Sequence, residues 1–174
     1  MADLTIRNAT LITEPGASPL PGAALEMRSG VITRISQGAL PTQGEEYDAA
    51  GSVVVPGFWN CHVHLTEPQW ARAAKAPAGA LQPDLDGMFL ARGFTAAVDL
   101  GSDPRSTNAV KARVASGELA GPRLLSAGAG IYPPRGLPFY VRDEIPRYVR
   151  MMIPQPRGAT GARMAVRRSQ RNGA

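Results

Sequence analysis

The chain has 174 residues, a formal net charge of +5 and a single cysteine, Cys61. One cysteine excludes an intrachain disulfide framework and a cysteine-based zinc cage, and no apolar run reaches the roughly 20 residues of a membrane-spanning helix. The positive charge is local, because residues 145–174 carry seven arginines and no acid, whereas residues 1–144 carry 12 Lys/Arg against 14 Asp/Glu, a net charge of −2.

The N-terminal pattern indicates a β domain over residues 1–52. A β-prone run at 4–12 precedes two further runs, 25–28 and 31–35, that flank Ser29-Gly30 as a hairpin turn. The first residues have neither the basic nor the apolar segment of a signal peptide, so a cytoplasmic protein without membrane association is expected. No residue of 1–52 indicates a chemical site.

A strand that contains both histidines of the chain follows at residues 53–65. Alternate residues of a strand face the same side, so His62 and His64 share one face with Asn60, and Cys61 falls on an apolar opposite face. Two imidazoles on one face can bind one divalent metal ion, with bonds of about 2.0–2.1 Å for zinc. His62 and His64 are therefore candidate metal ligands, although strand histidines are often structural.

The region after His64 indicates alternating helices and strands. An Ala/Pro-rich loop over 66–82 precedes a helix that is predicted to start at Pro83 and to end at Gly93. Residues 94–100 form the next predicted strand, with Asp99 near its end as a structural acceptor rather than a ligand. Trp70 could cover a ligand, but packing in the core is the commoner use of such a residue.

A second helix and a third strand continue the pattern. Ser106 or Thr107 is predicted to cap the helix, which stops at Gly117, and residues 123–128 form the strand. The loop 128–138 is either a substrate-lining segment or an irregular connection. Strand, helix, strand, helix and strand in this order predict a parallel α/β fold.

The tail, residues 151–174, differs in composition from the rest. A helix over 163–171 is predicted, with Asn172-Gly173 as its stop signal. The basic residues indicate either a solvated helix, a truncated end, or a shifted reading frame from about residue 157. Binding of specific nucleic acid is not expected, because the basic range 145–174 holds one aromatic residue, Tyr148, and no nucleic-acid motif.

The run Val-Val-Val-Pro-Gly-Phe-Trp-Asn-Cys-His-Val-His-Leu-Thr, residues 53–66, resembles the first barrel strand of the amidohydrolase superfamily, and of its imidazolonepropionase-like branch in particular. The likeness continues through 66–70, 93–95, 99–104 and 121–128, and covers most of residues 4–150. Asn60 departs from the pattern, because many members carry Asp there.

The resemblance implies a fold, a cofactor and an activity. It implies a small N-terminal β-sandwich-like domain (1–52), the first three β/α units of an incomplete TIM-type (β/α)8 barrel (53–150), and an Arg-rich tail (151–174). It also implies a divalent metal, zinc by preference, at His62 and His64, where it would activate water. The reaction would be hydrolysis of a non-peptide C–N bond in an amide-like small molecule.

The length limits these implications, because a complete barrel takes about 250 residues. We therefore expect the 174-residue chain by itself to be catalytically silent and to bind metal weakly. Two alternatives are a non-catalytic remnant or binding module, and a basic protein whose tail contacts anionic partners. The substrate, the number of metal ions and the oligomeric state are not fixed by the sequence.

Overall fold

A computed structural model describes residues 3–174, except for the side chains at positions 140 and 144. The chain divides into two compact units, Met1–Pro56 and Gly57–Ala174. The first unit ends four residues later than the sequence predicts, because residues 53 and 54 pair within its sheet. No helix among the described residues is long and apolar enough to cross a membrane.

The first unit is one mixed β-sheet. Its five strands are β1 (Leu4–Leu11), β2 (Leu20–Arg28), β3 (Val31–Gln37), β4 (Glu45–Asp48) and β5 (Val53–Val54). The order is β3-β2-β1-β4, and β5 also pairs with β1. The β1–β2 and β2–β3 pairs are antiparallel, whereas β4 and β5 run parallel to β1.

The structure of the first unit contains the predicted hairpin but differs from the predicted sandwich. Ser29 and Gly30 both have positive φ, 49° and 81°, which is the two-residue turn that suits a β-hairpin. The described residues of this unit form a single sheet rather than two layers. Its small core gathers on β1, β2 and the turn before β5, at Ala9, Leu11, Ala23, Leu25 and Ala49.

A buried acid on β2 gives this unit a pH dependence. Glu26 is 6% exposed and accepts hydrogen bonds of 2.8 Å from the Arg28 guanidinium and the Thr33 hydroxyl. These two groups, Arg28 first, lower the pKa of Glu26 below its ordinary value of 4.5. A lowered folded-state pKa contributes stability above the unfolded value, and that stability is lost as the pH falls through the folded value.

We expect the Glu26→Gln variant to lose less stability on acidification than the wild type. The difference in urea midpoint between the two proteins, followed by circular dichroism, should be largest above pH 4.5 and should shrink as the pH falls below it. Other carboxylates titrate in both proteins and cancel in the comparison. Parallel midpoint curves from pH 7 to pH 3 would show that the Glu26 contacts do not contribute.

The second unit is a parallel β/α sheet. Its strands are β6 (Phe58–Val63), β7 (Phe94–Asp99) and β8 (Arg123–Ser126), in the order β6-β7-β8 and all parallel. The helices are α1 (Ala78–Met88), α2 (Pro104–Ala115), α3 (Phe139–Glu144), α4 (Arg147–Met152) and α5 (Gly158–Arg171). Short 3₁₀ turns occupy Pro68–Arg72 and Leu90–Arg92. This confirms the predicted alternation of strands and helices.

The helix before β7 begins earlier than predicted. The sequence places its start at Pro83, but α1 starts at Ala78 and contains Pro83 in its interior. Leu81, Leu85 and Phe89, spaced four apart, are at most 1% exposed. We attribute the longer helix to burial of this stripe, which offsets the roughly 3 kcal/mol that an interior proline costs. The helix also ends earlier than predicted, at Met88. Gly93 instead ends the short 3₁₀ turn Leu90–Arg92 in the left-handed conformation.

The helix after β7 also has a different cap from the one predicted. Asp103, rather than Ser106 or Thr107, caps α2 and accepts a hydrogen bond from the backbone N–H of Arg105, with Pro104 in the first turn. Ser106 and Thr107 lie buried inside the first turns. The capping carboxylate precedes a proline, which is well placed at the first helical position.

One apolar cluster holds the second unit together. Trp70 is fully buried in it, as the packing interpretation predicts. The cluster joins the helices to one face of the sheet, and its buried members are Leu65, Trp70, Ala73, Leu81, Leu85, Phe89, Ala97, Val110, Leu119 and Leu124.

The prediction for Cys61 is wrong. Strand parity assigns it to an apolar face, yet Cys61 is exposed, and Trp59 on the same face is 52% exposed. The reason is packing, because the buried cluster of the second unit reaches Val63 and Leu65 on this face but does not reach Trp59 or Cys61. A parity pattern shows which residues share a face, but whether another element covers that face depends on distant parts of the chain.

Candidate metal centre

The two histidines lie at the C-terminal end of β6 and their rings converge. Nε2 of His62 is 3.3 Å from Nε2 of His64, and the ring planes are inclined at 80°. Both residues are exposed. The predicted metal ligands are thus brought together, with their Nε2 atoms within hydrogen-bonding distance of each other.

This separation fits a divalent metal. Two nitrogens that each lie about 2.0–2.1 Å from a tetrahedral zinc ion are about 3.3–3.4 Å apart. The observed separation of 3.3 Å falls at that value. The donor chemistry agrees, because imidazole is a common zinc ligand. A metal held here would still need ligands from elsewhere, since catalytic zinc sites use three protein ligands.

The residues described, 3–174, contain no group of three or more His, Cys, Asp or Glu side chains that could hold a metal ion. The three acids near the pair each have a structural partner. Glu67 accepts a hydrogen bond of 2.9 Å from the Trp70 indole, Asp103 caps α2, and Asp99 is buried in its own network. The described chain therefore supplies two ligands at this point.

Asp99 organises the loops around the pair. It is fully buried at the end of β7 and accepts hydrogen bonds from the hydroxyls of Ser102, at 2.7 Å, and Thr107, at 2.5 Å. The Ser102 hydroxyl in turn accepts a hydrogen bond of 2.6 Å from the backbone N–H of Leu65. The residue after His64 is thus tied through Ser102 to Asp99, which fixes the start of the loop.

Sequence reasoning anticipated Asp99 as an acceptor but missed Ser102 and Thr107. Their hydroxyls reach the carboxylate only because the turn after β7 and the first turn of α2 fold back onto the strand end. A local signal did exist, since Thr107 lies in the first turns of a helix that directly follows the acid. Asn60, which replaces the more common Asp, accepts a hydrogen bond of 3.2 Å from the backbone N–H of His62.

Gly57 sets the approach of β6 to β7. A Cβ atom placed on Gly57 would lie 2.7 Å from Cβ of Thr95 and 2.1 Å from its hydroxyl oxygen. Rotation of Thr95 cannot relieve the Cβ contact, because Cβ does not move with the side-chain torsion. The glycine of the Pro56-Gly57 pair is required by this close packing rather than by an unusual φ angle.

We expect Gly57→Ala to lower the free energy of unfolding of the second unit by about 1–3 kcal/mol, the usual cost of overpacking. Thr95→Gly removes every clashing atom, so the double variant should recover part of that loss. Urea unfolding monitored by tryptophan fluorescence gives the double-mutant cycle. Strictly additive losses in the cycle would show that the two residues do not press on each other.

A cavity of about 1800 Å³ opens at this end of the parallel sheet. It exceeds the roughly 300–1,000 Å³ of an ordinary ligand pocket, because one side is open to solvent. His64, Thr66 and Asp103 contribute to one wall, and residues of α5 contribute to another. The predicted loop 128–138 lines it through Gly130, Ile131 and Tyr132, which supports the substrate-lining interpretation of that loop.

Comparison of the sequence with characterised proteins finds relatives over part of the chain. It is 35% identical over 63 residues to a dihydroorotase of Listeria welshimeri, which covers 36% of this chain and 14% of that protein. It is 38% identical over 65 residues to a 5'-deoxyadenosine deaminase of Methanosarcina acetivorans, which covers 37% of this chain and 15% of the relative. No protein-family model matches the chain.

Comparison of the structure with solved structures extends over nearly the whole chain. An amidohydrolase superposes with a TM-score of 0.72 at 26% identity, over 99% of this chain and 45% of its own. A prolidase solved with N-methylphosphonate-L-proline has a TM-score of 0.71 at 22% identity, again over 99% and 45% of the two chains. The chain therefore spans less than half the length of these structures, and the second of them shows likeness of fold alone.

Proposed function

Because the chain belongs to the amidohydrolase superfamily, we propose that it is the N-terminal part of a metal-dependent hydrolase that cleaves a carbon–nitrogen bond in an amide-like small molecule. The relatives compared with it are hydrolases of this superfamily. These relatives do not indicate to which branch of the superfamily the chain belongs, so the resemblance to imidazolonepropionases stays a prediction. The incomplete (β/α)8 barrel also stays a prediction, in which β6, β7 and β8 would be the first three strands of the barrel.

The observation that carries this proposal is the 3.3 Å separation of the two imidazole nitrogens. The pair lies at the C-terminal end of the first parallel strand, where α/β proteins of this architecture place their chemistry. A zinc ligand pair requires this separation, because the ion fixes both bond lengths and the angle between them. An N–H···N hydrogen bond between the two rings spans the same distance, and metal dependence of the activity distinguishes the two arrangements.

The residues of this chain would have separate tasks in such an enzyme. His62 and His64 would hold a divalent ion, zinc by preference, and the ion would supply Lewis-acid polarisation and activation of water. Asp99 would hold the loop after His64 through Ser102. Further ligands would come from chain beyond the described residues, since no third histidine is present.

The names of the relatives suggest which substrates to test. They include a dihydroorotase, a 5'-deoxyadenosine deaminase and a Xaa-Pro dipeptidase. We favour a non-peptide C–N bond, as the resemblance to the superfamily implies, and an Xaa-Pro dipeptide is the competing substrate. Fold alone does not choose between them, because loops specialise such sites.

The test uses the full-length product of the gene, with dihydroorotate, 5'-deoxyadenosine and an Xaa-Pro dipeptide as substrates. We expect hydrolysis of a C–N bond that a chelator abolishes and zinc restores. His62→Ala and His64→Ala should each reduce kcat/KM at least about 100-fold, because each removes a ligand of the ion. Cys61→Ser is the matched control, since it lies between the histidines and is exposed.

Two results would contradict the proposal. One is activity that survives both chelation and the histidine substitutions. The other is equal loss in Cys61→Ser and His62→Ala, which would indicate general damage to the strand. Metal-dependent activity on the Xaa-Pro dipeptide alone would support a metal-dependent hydrolase but would show that its substrate contains a peptide bond.

A further inference from the structure

Four arginines line the cavity beside the histidine pair. Arg105 comes from the first turn of α2, and Arg167, Arg168 and Arg171 come from the last turns of α5. We call these four residues the arginine wall. The same cavity is lined by His64 and by one acid, Asp103, whose carboxylate is occupied as the cap of α2.

None of the four guanidinium groups of the arginine wall forms an ion pair with a described carboxylate. The ion pairs found among residues 3–174, with the side chains at 140 and 144 left aside, involve other arginines. A cleft lined by charge of one sign concentrates its field and attracts ligands of the opposite sign. Guanidinium groups suit oxyanions in particular, because their planar donors match carboxylate and phosphate oxygens two at a time.

Contacts of the α5 C-terminus hold the wall in place. The Ser169 hydroxyl donates a hydrogen bond of 3.2 Å to the carbonyl of Ala127, just after β8. The Asn108 amide on α2 donates one of 2.5 Å to the carbonyl of Asn172. Gly128 makes room for this approach, since a Cβ there would lie 2.1 Å from the Ser169 hydroxyl.

The placement of the arginines is unfavourable for the helix itself. Arg167 and Arg171 are one turn apart, and like charges at that spacing destabilise a helix. The helix dipole favours positive charge near the C-terminus, but it does not require that charge to line a cavity shared with His64. A bound anion would remove the repulsion.

We infer that the arginine wall binds the oxyanion group, carboxylate or phosphate, of a small-molecule ligand whose remaining part extends toward His64. This inference rests on the proposed function and narrows its substrate class to anionic amide-like molecules. Anion binding by the arginine wall does not require the metal, so an experiment can contradict this inference without contradicting the proposed function, and the reverse.

The test is calorimetric titration of the 174-residue chain with inorganic phosphate and, separately, with N-acetylglycine at low ionic strength. We expect one or both to bind, and Arg167→Gln/Arg171→Gln to weaken that binding at least about tenfold through loss of charge-assisted hydrogen bonds. The two probes distinguish a phosphate from a carboxylate ligand. Addition of a chelator should leave phosphate binding unchanged, which tests the arginine wall independently of the metal.

The matched control is Arg157→Gln/Arg163→Gln, which removes the same charge from the tail at residues that do not line the cavity. It should change the affinity by less than about twofold. Equal weakening by both pairs of substitutions would overturn the inference and indicate nonspecific attraction to a basic tail. Absence of binding by either probe, with circular dichroism showing α5 intact, would overturn it as well.

Discussion

Replacement of Asp99 by alanine is expected to lower the free energy of unfolding of the second unit by about 3 kcal/mol, because it leaves buried donors without their acceptor. The donors are the hydroxyls of Ser102 and Thr107 and the N–H of Gly101. Asp99→Asn should lower the free energy of unfolding by less than Asp99→Ala, since the hydroxyl of Ser102 or Thr107 can rotate and accept a hydrogen bond from the new amide group. Urea unfolding monitored by tryptophan fluorescence measures both.

The matched control for this prediction is Asp103→Ala. Asp103 is an acid four positions away that only caps a helix, and loss of such a cap costs about 1 kcal/mol. A second readout separates Asp99 from general instability: hydrogen exchange of the Leu65 amide should accelerate, because that amide is held by Ser102. An equal loss of unfolding free energy in Asp99→Ala and Asp103→Ala would contradict a stabilising role for the hydrogen bonds to Asp99.

Zinc binding by the 174-residue chain is expected to be weak and to depend on both histidines. Four-ligand structural sites bind zinc with about 10–16 kcal/mol, so two ligands supply roughly half, which corresponds to a Kd of about 1–200 µM. His62→Ala or His64→Ala should weaken binding by at least about two orders of magnitude, because a single imidazole remains. Competition with a zinc-sensitive dye at pH 7.5 measures the affinities.

Two control substitutions distinguish the histidine pair from other side chains that could bind zinc. Cys61→Ser and Glu67→Gln should leave the affinity within about twofold, because neither side chain is proposed as a ligand. Nanomolar affinity in the wild type would show that further ligands assemble in solution and would falsify the two-ligand description. An affinity that is unchanged in His62→Ala would place the ion elsewhere on the chain.

Local features of this protein can be read from its residues without the structure. The His-x-His spacing put both imidazoles on one strand face, and the structure brings their nitrogens within 3.3 Å. Ser29-Gly30, Gly93 and Gly117 were found as turns and stops, since each depends on positive φ that few residues tolerate. The resemblance of residues 53–66 added the superfamily.

Contacts between distant segments of the chain determine which of these features are covered, how the helices are capped and how the elements are joined. Cys61 is exposed because the buried cluster does not extend over that part of β6. The helix α1 runs through Pro83 because Leu81 and Leu85 are buried together, and Thr107 turns inward to Asp99. The arginine wall forms because the end of α5 returns to β8 and α2. Local patterns specify backbone conformation and shared faces, whereas burial and hydrogen-bond partners depend on residues that are distant in sequence.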